Sequence, residues 1–249
     1  MSPLKFKIFE PISWVGYAVS IKADGDIRLK ENRKKFFSSI GQSRPEDDEP
    51  LAQIDIADSG VVDAEQVHGN HVAIVGSVDR GDLILKTDAL ITADKNTPLF
   101  IRTADCVPIF LIDQKKKIVG LVHAGWKGTV QEITRITVNH MQDHFGSNPA
   151  DLLVGMGPAI GSCCYEVDTP VIEQFKYKFK YADKLFSNER DSHARLDLPL
   201  ANKFQLIETG VKEKNIEISG VCTYDNSSEF FSERKEGPTG RFGSLIYIK

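Results

Sequence analysis

Three residues that could bind a metal ion lie next to small residues at the ends of apolar runs: His68, Cys106 and His123. Two imidazoles and one thiolate form a three-ligand set, which leaves the fourth position of a tetrahedral zinc ion open for water or substrate. Their separations match no short metal-binding motif, and isolated histidines and cysteines are commonly structural. A third interpretation makes Cys106 a nucleophile activated by His123, as in cysteine hydrolases. The residues alone leave these alternatives open.

The segment after His123 could bind an anion. An apolar run leads into His-Ala-Gly-Trp-Lys-Gly, and a helix is predicted to begin near Thr129. Gly125 and Gly128 permit close backbone approach, and the first N–H groups of a helix attract negative charge. A phosphate beside Lys127 would fit there. An ordinary glycine turn is the alternative.

The remaining histidines and cysteines are predicted to have peripheral or structural roles. His140 and His144 are four positions apart on a predicted helix, but no glutamate follows the first, so they do not form a zinc-protease motif. Cys163, Cys164 and Cys222 are interpreted as structural thiols. Four cysteines are too few for a disulfide scaffold, and the adjacent pair favours a reducing, cytoplasmic compartment.

Composition limits the classes of partner. The chain has 249 residues, of which 41% are hydrophobic, enough to bury a core without disulfides. A net charge of −4 argues against nucleic acid as the main partner, while a small anion remains compatible. We find no apolar run of the roughly 20 residues that a membrane helix needs. We expect one domain over residues 1–249, acting as a monomer on small molecules.

Elements that position these residues can be predicted from hydrophobic periodicity. Helices are expected at residues 27–40, 129–145, 170–186 and 200–210. An exposed loop is expected at residues 43–50, where prolines flank acidic residues. Strands are expected at residues 1–10, 60–63, 71–75, 89–92, 99–102, 107–112, 118–122, 152–156, 216–222 and 244–248. Strands and helices without regular alternation favour an α+β fold.

Five motifs in one order carry a resemblance to a known family. They are Gln-Val-His-Gly, Thr-Ala-Asp-Cys-Val-Pro, His-Ala-Gly-Trp-Lys-Gly-Thr, Gly-Pro-Ala-Ile-Gly, and a terminal Phe-Phe-Ser with Thr-Gly-Arg. Together they resemble the YfiH family, also called the multicopper polyphenol oxidase or laccase-domain family. The resemblance runs from about Asn32 to the carboxyl terminus.

The resemblance implies a fold, a metal and a reaction. The fold would be a single domain of layered α/β/β/α type with mixed β-sheets. A mononuclear zinc site would map onto His68, Cys106 and His123. The activity would be phosphorolysis of purine nucleosides (adenosine, inosine, guanosine and methylthioadenosine) with adenosine deamination. Arg33, within Asn-Arg, would bind the phosphate co-substrate, and Gln66 and Asp105 would be polar site residues, Asp105 as a proton shuttle.

The chain departs from the family at residues 19–25, where a glycine-containing segment is shorter, so substrate preference is open. Two rival functions are also kept. One is copper-dependent oxidation of phenols, for which six histidines are few. The other is a cysteine amidohydrolase, or an enzyme that edits cell-wall precursors, with Cys106 as nucleophile.

Overall fold

Two mixed β-sheets form the centre of the protein. The structure, a computed structural model, describes residues 4–40 and 60–249. Its strands are β1 (Val15–Val19), β2 (Val62–Ala64), β3 (Val72–Ile74), β4 (Leu83–Ile84), β5 (Ala89–Thr92), β6 (Leu99–Thr103), β7 (Val107–Asp113), β8 (Ile118–Ala124), β9 (Leu152–Met156), β10 (Glu166–Asp168), β11 (Phe186–Arg190), β12 (His193–Leu196), β13 (Ile216–Ile218) and β14 (Phe242–Ile248). Its α-helices are α1 (Lys30–Ile40), α2 (Trp126–Val130), α3 (Ile133–Phe145), α4 (Thr169–Lys178), α5 (Leu198–Glu208) and α6 (Glu233–Glu236).

The strand order shows how the sheets are assembled. One sheet has the order β1-β14-β6-β2-β4 and the other the order β13-β9-β7-β8-β5-β3, while β10, β12 and β11 form a small third sheet. Most pairs are antiparallel, but β2 is parallel to both of its neighbours, β3 is parallel to β5, and β13 is parallel to β9. Mixed sheets of this kind agree with the α+β expectation.

The apolar runs of the central strands are continuous because both faces of these strands are buried. Along β7, Ile109 and Leu111 pack on the helical side, whereas Phe110 and Ile112 pack against the other sheet. All seven residues of β7 are buried, as are all seven of β8 and of β14. Alternate side chains of one strand therefore fill two different cores.

Helices cover the outer faces of both sheets. Phe36 and Phe37 of α1 pack with Phe100 of β6 and Leu245 of β14. On the opposite side, α3, α4 and α5 contribute buried residues to the core beneath the six-stranded sheet. The layers follow the order α/β/β/α, so the predicted architecture is confirmed. Among the described residues, no helix is both long enough and apolar enough to cross a membrane.

Several element boundaries differ from the sequence prediction. Residues 4–10 contain a 3₁₀ turn at Lys7–Phe9 and no strand. Phe6 and Phe9 are both buried, and their rings contact each other and Tyr17. Burying two side chains three positions apart in one core requires a turn, because a strand would point them to opposite faces. The first strand is β1 instead.

The helix predicted at residues 129–145 is two helices, because Glu132 adopts a left-handed conformation with φ of 63°. The amide of Gln205 donates a hydrogen bond to the Thr129 carbonyl at 2.8 Å, and the amide of Asn202 bonds the Thr129 hydroxyl at 3.0 Å. These contacts from α5 hold the chain where α2 ends. Tertiary hydrogen bonds thus override the helical periodicity.

The helix predicted at residues 170–186 is also shorter, since α4 ends at Lys178. Phe179 is extended, stacks on Tyr181 with ring centroids 5.2 Å apart, and is buried in the helical-side core. The next strand, β11, begins at Phe186, the last residue of the predicted helix.

The strand predicted at residues 216–222 is shorter in the structure, because β13 ends at Ile218. The loop predicted at residues 43–50 lies outside the described residues, and the single domain over residues 1–249 stays a prediction.

Candidate active site and metal centre

Three separate parts of the fold bring His68, Cys106 and His123 together. Cys106 immediately precedes β7, and His123 lies in β8 opposite Pro108 of β7. His68 belongs to the loop between β2 and β3. The three ligand atoms lie within 4.8 Å of one another, and the two imidazole centroids are 4.8 Å apart. His123 is buried, Cys106 half-buried and His68 exposed, so the cluster opens to solvent on one side.

A buried carboxylate orients two of these ligands. The Oδ1 atom of Asp88 lies 2.8 Å from Nδ1 of His123 and accepts the backbone N–H of His68 at 3.0 Å. Its Oδ2 atom accepts the N–H groups of Val67 at 3.2 Å and Gly69 at 2.8 Å. Because Nδ1 of His123 is engaged, Nε2 is the nitrogen available to a metal. Carboxylates that fix a histidine ligand in this way are typical of metal sites.

The charges of the cluster are coupled. Burial alone raises the pKa of the Cys106 thiol, but His123 and His68 outweigh burial and lower that pKa to about 6. Burial alone lowers the pKa of His123, but Cys106 and Asp88 outweigh it and raise that pKa to about 9. At neutral pH the metal-free cluster therefore contains a thiolate beside an imidazolium. A thiolate is the form that both zinc ligation and nucleophilic attack require.

Gly125 and Gly128 pack against this cluster. A Cβ atom on Gly125 would lie 3.0 Å from Sγ of Cys106 and 3.0 Å from Cδ2 of His68. A Cβ atom on Gly128 would lie 2.7 Å from the carbonyl oxygen of Gly69. Both positions therefore need glycine so that the His68 loop and Cys106 can approach α2. These packing contacts account for both glycines, and phosphate binding at this turn stays a prediction.

Backbone strain coincides with the site. His68 and Asp105 both have positive φ, at 59° and 85°. Residues other than glycine adopt this region at a cost and persist in it when surrounding contacts hold them. For Asp105 these contacts include the N–H of Ile160, which bonds its carbonyl at 2.9 Å. The backbone conformation at His68 and Asp105 orients the side chains of His68 and Cys106 toward the cluster.

The cluster lies in the wall of a cavity of about 740 Å³. The polar and charged residues that share its lining are Arg28, Glu65, Gln66, His68, Arg102, Thr103, Asp105, Cys106, His123, Tyr165, Glu233, Arg234 and Arg241. Four arginines against three carboxylates give this wall a surplus of positive charge. A cavity of this size can hold a nucleoside-sized ligand.

Gln66 and Asp105 do line the cavity, but their polar atoms are bonded to the protein. The Gln66 amide donates to the Arg102 carbonyl at 2.6 Å and accepts the Arg102 N–H at 2.9 Å. Asp105 accepts the Thr223 hydroxyl at 2.6 Å and the Arg234 N–H at 2.8 Å. These bonds show both side chains tying loops of the cavity wall together.

Arg33 and Lys127 do not line this cavity. Arg33 lies beside a neighbouring cavity of about 230 Å³, with its guanidinium 3.6 Å from Asp63. Asp63 also pairs with Arg102 at 3.1 Å, and Arg102 lines both cavities. Lys127 lies over the ring of Trp126 at 5.6 Å. A phosphate in the large cavity would meet the arginines of its wall, and the phosphate-binding roles of Arg33 and Lys127 stay predictions.

Sequence reasoning missed Asp88 and the arginines of the cavity wall. Asp88 directly precedes the apolar strand β5, a position that is common for polar site residues but not diagnostic. Arg241 belongs to the Thr-Gly-Arg motif, so its motif was identified but not its role. Arg28 and Arg234 carry no local signal, because only the packing of distant segments brings them to the cavity.

Comparison with known proteins identifies relatives across most of the chain. The family model described as multi-copper polyphenol oxidoreductase laccase matches residues 46–249. The purine nucleoside phosphorylase YlmD of Bacillus subtilis is 38% identical over 194 residues, covering 75% of this chain and 70% of that protein. The adenosine deaminase RL5 of an unknown prokaryotic organism is 35% identical over 193 residues, covering 74% of this chain and 73% of that protein.

Solved structures share the fold. A hypothetical protein YfiH of Bacillus licheniformis superimposes with a TM-score of 0.84 at 31% identity, covering 95% of this chain and 94% of that chain. YlmD from Geobacillus stearothermophilus superimposes with a TM-score of 0.85 at 28% identity, covering 96% and 94% respectively. The layered architecture is thus common to these proteins.

Proposed function

This chain belongs to the multi-copper polyphenol oxidoreductase laccase family, also called the YfiH family, and on that premise we propose that it is a zinc-dependent purine nucleoside phosphorylase that also deaminates adenosine. One observation carries the proposal: the His68, Cys106 and His123 cluster and four arginines line the same cavity. The relatives named purine nucleoside phosphorylase and adenosine deaminase support it. Adenosine, inosine, guanosine and methylthioadenosine are the proposed substrates.

The donor set fits zinc. Two imidazole nitrogens and a low-pKa thiol lie within one small volume, and Asp88 fixes His123 from behind. His68, Cys106 and His123 would hold the ion and leave one position facing the cavity. Bound there, zinc would supply Lewis acidity and make a water molecule a better nucleophile.

Phosphate is proposed to bind at the arginines of the cavity. In phosphorolysis, a phosphate oxygen forms a bond to C1′ of the ribose while the bond from C1′ to the purine nitrogen breaks. Arg28, Arg102 and Arg241 already pair with carboxylates at 2.7 to 3.1 Å. Among residues 4–40 and 60–249, no carboxylate pairs with Arg234; its guanidinium donates to the backbone carbonyl of Glu166 and lies 5.2 Å from the Tyr165 ring centroid. It is therefore the arginine best able to take a phosphate.

Arg33 and Asp105 keep their proposed roles in a modified form. Through Asp63, Arg33 can position Arg102, so its effect on phosphate would be indirect. In deamination, water adds to C6 of the purine, ammonia leaves, and a carboxylate must move the proton. Asp105 accepts one hydrogen bond at each oxygen, from Thr223 and from the Arg234 N–H, and keeps a second lone pair on each oxygen for this proton.

Product analysis tests the function. The purified protein, loaded with zinc, is incubated with adenosine with and without phosphate, and adenine, ribose 1-phosphate and inosine are measured. We expect adenine and ribose phosphate only with phosphate, and inosine under both conditions. Cys106→Ser should abolish all products, while Arg190→Ala, at an exposed arginine outside the cavity, should not. The absence of every product from the wild type would overturn the proposal.

Two rivals predict different results in the same preparation. Oxidation of phenols is favoured by the name of the family, and it predicts oxygen consumption with bound copper. A cysteine hydrolase predicts that iodoacetamide labels Cys106 in metal-loaded protein, whereas a zinc-bound thiolate should be protected.

We further propose that the protein acts as a monomer in the cytoplasm, where its four cysteines stay reduced.

A further inference from the structure

A second cluster of soft ligands lies outside the cavity. Cys163 and Cys164 come from the loop before β10, and Cys222 and Asp225 come from the segment after β13. Their ligand atoms all lie within 4.8 Å of one another. The Sγ atom of Cys163 is 3.1 Å from that of Cys164 and 3.5 Å from that of Cys222. The two carboxylate oxygens of Asp225 lie 3.2 Å from Cys163 and Cys164 respectively.

We propose that Cys163, Cys164, Cys222 and Asp225 bind a second zinc ion in a structural site. Three thiolates and a carboxylate complete a tetrahedral set with no open position, which is the character of structural zinc sites. Zinc–sulfur bonds of about 2.3 Å place tetrahedral sulfurs about 3.8 Å apart. The observed separations of 3.1 and 3.5 Å require movements below 1 Å to admit the ion. On binding, each thiol releases one proton to solvent.

The backbone around the cluster is already arranged for close approach. The N–H of Gly161 donates to Sγ of Cys222 at 3.3 Å and holds that sulfur beside the loop of Cys163. A Cβ atom on Gly161 would lie 3.2 Å from Sγ of Cys163, so a larger residue there would crowd that thiol. The N–H of Cys164 bonds the Gly161 carbonyl, and the backbone and side-chain N–H groups of Asn226 bond the Cys222 carbonyl. Both loops are therefore fixed before a metal binds.

The site would hold together two loops that form part of the wall of the large cavity. Tyr165, next to Cys164, lines that cavity. Thr223, next to Cys222, donates its hydroxyl to Asp105, whose neighbour Cys106 belongs to the first cluster. Ala159 and Thr223 join the two loops by a backbone hydrogen bond at 3.0 Å. A zinc ion here would stabilise the cavity wall without contacting substrate.

Metal stoichiometry tests the proposal. Protein purified with zinc present is desalted, and zinc is measured per chain by mass spectrometry of the element. We expect two equivalents for the wild type and one for the Cys163→Ser/Cys164→Ser double variant. Cys163 is exposed and Cys164 is half-buried at the edge of the core, and serine is nearly the size of cysteine, so these substitutions should leave the core intact. Asp225→Asn should weaken zinc binding, and Asp143→Asn, at an exposed aspartate of α3, should retain both equivalents.

The difference between the wild type and the double variant is decisive, because it does not depend on what the first cluster binds or on which reaction the protein performs. Cys106→Ser should remove the other equivalent, and the triple variant should hold none. In cobalt-loaded Cys106→Ser protein, the sulfur-to-cobalt absorption band should persist, and it should vanish when Cys163 and Cys164 are also replaced. Equal zinc in the wild type and the double variant would overturn the proposal. So would a native mass lower by two hydrogen atoms, which would indicate a disulfide in this cluster.

Discussion

Replacing Asp88 with asparagine tests whether the buried carboxylate organises the first cluster, which consists of His68, Cys106 and His123. The carboxylate accepts four hydrogen bonds, from the N–H groups of Val67, His68 and Gly69 and from Nδ1 of His123, at 2.8 to 3.2 Å. Burial alone raises the pKa of Asp88, but His123 and the N–H groups of Gly69 and Val67 outweigh burial and hold that pKa below its usual value. Asp88 is therefore an anion at neutral pH.

The size of the effect follows from the loss of acceptors. Asparagine offers one oxygen, so its NH₂ group must face two of the four donors. Each hydrogen bond to a charged group contributes about 1.5 kcal/mol at the low end of its range, so losing two lowers the free energy of unfolding by about 3 kcal/mol. Loss of a carboxylate behind a histidine ligand should also weaken metal binding roughly 10- to 100-fold.

The assay combines urea unfolding with competition for zinc against a chelator. A background that carries Cys163→Ser and Cys164→Ser restricts the competition to the first cluster. Asp113→Asn is the matched control, since Asp113 is equally buried and accepts the N–H groups of Lys115 and Lys116. It lies at the other end of β7, about 20 Å along the strand from Val107. Wild-type zinc affinity in Asp88→Asn, or an equal loss in Asp113→Asn, would refute the reasoning.

Three further predictions concern the cluster and the cavity. In the same background, zinc affinity should rise with pH up to about 9, because the imidazolium of His123 must lose its proton before it can bind the ion. The Cys106 thiol, with a pKa of about 6, has already lost its proton at neutral pH. Calorimetry in two buffers measures the proton released on binding, and no proton release at pH 7 would contradict this prediction. Gly125→Ala should weaken zinc binding, because its Cβ atom would lie 3.0 Å from two ligand side chains, whereas Gly76→Ala meets only a movable carboxylate and should not change zinc affinity. Arg234→Ala should raise KM for phosphate at least about 10-fold, the equivalent of one charge-assisted bond, in steady-state phosphorolysis; an unchanged KM would exclude it from phosphate binding.

The hydrophobic pattern predicted the elements of the layers correctly where consecutive residues of one segment are all buried. The run at residues 107–112 is continuously apolar, with three β-branched residues, and it forms the central strand β7 with both faces buried. The helix predicted at residues 170–186 was too long, because Phe179 and Leu185 are buried by distant partners and α4 therefore ends early. Hydrophobic periodicity reports which faces are apolar, and it does not report which other element covers them.

The sequence by itself determined the donor types of the first cluster, since His68, Cys106 and His123 each stand in a distinct motif, and the five motifs indicated the family. Only the tertiary structure decided that Asp88 lies behind His123, that Arg234 rather than Arg33 faces the cavity, and that Cys163 meets Cys222 across 59 positions. The physical reason is that a side chain's chemistry is local, whereas its partners depend on how two stacked sheets and their loops pack together.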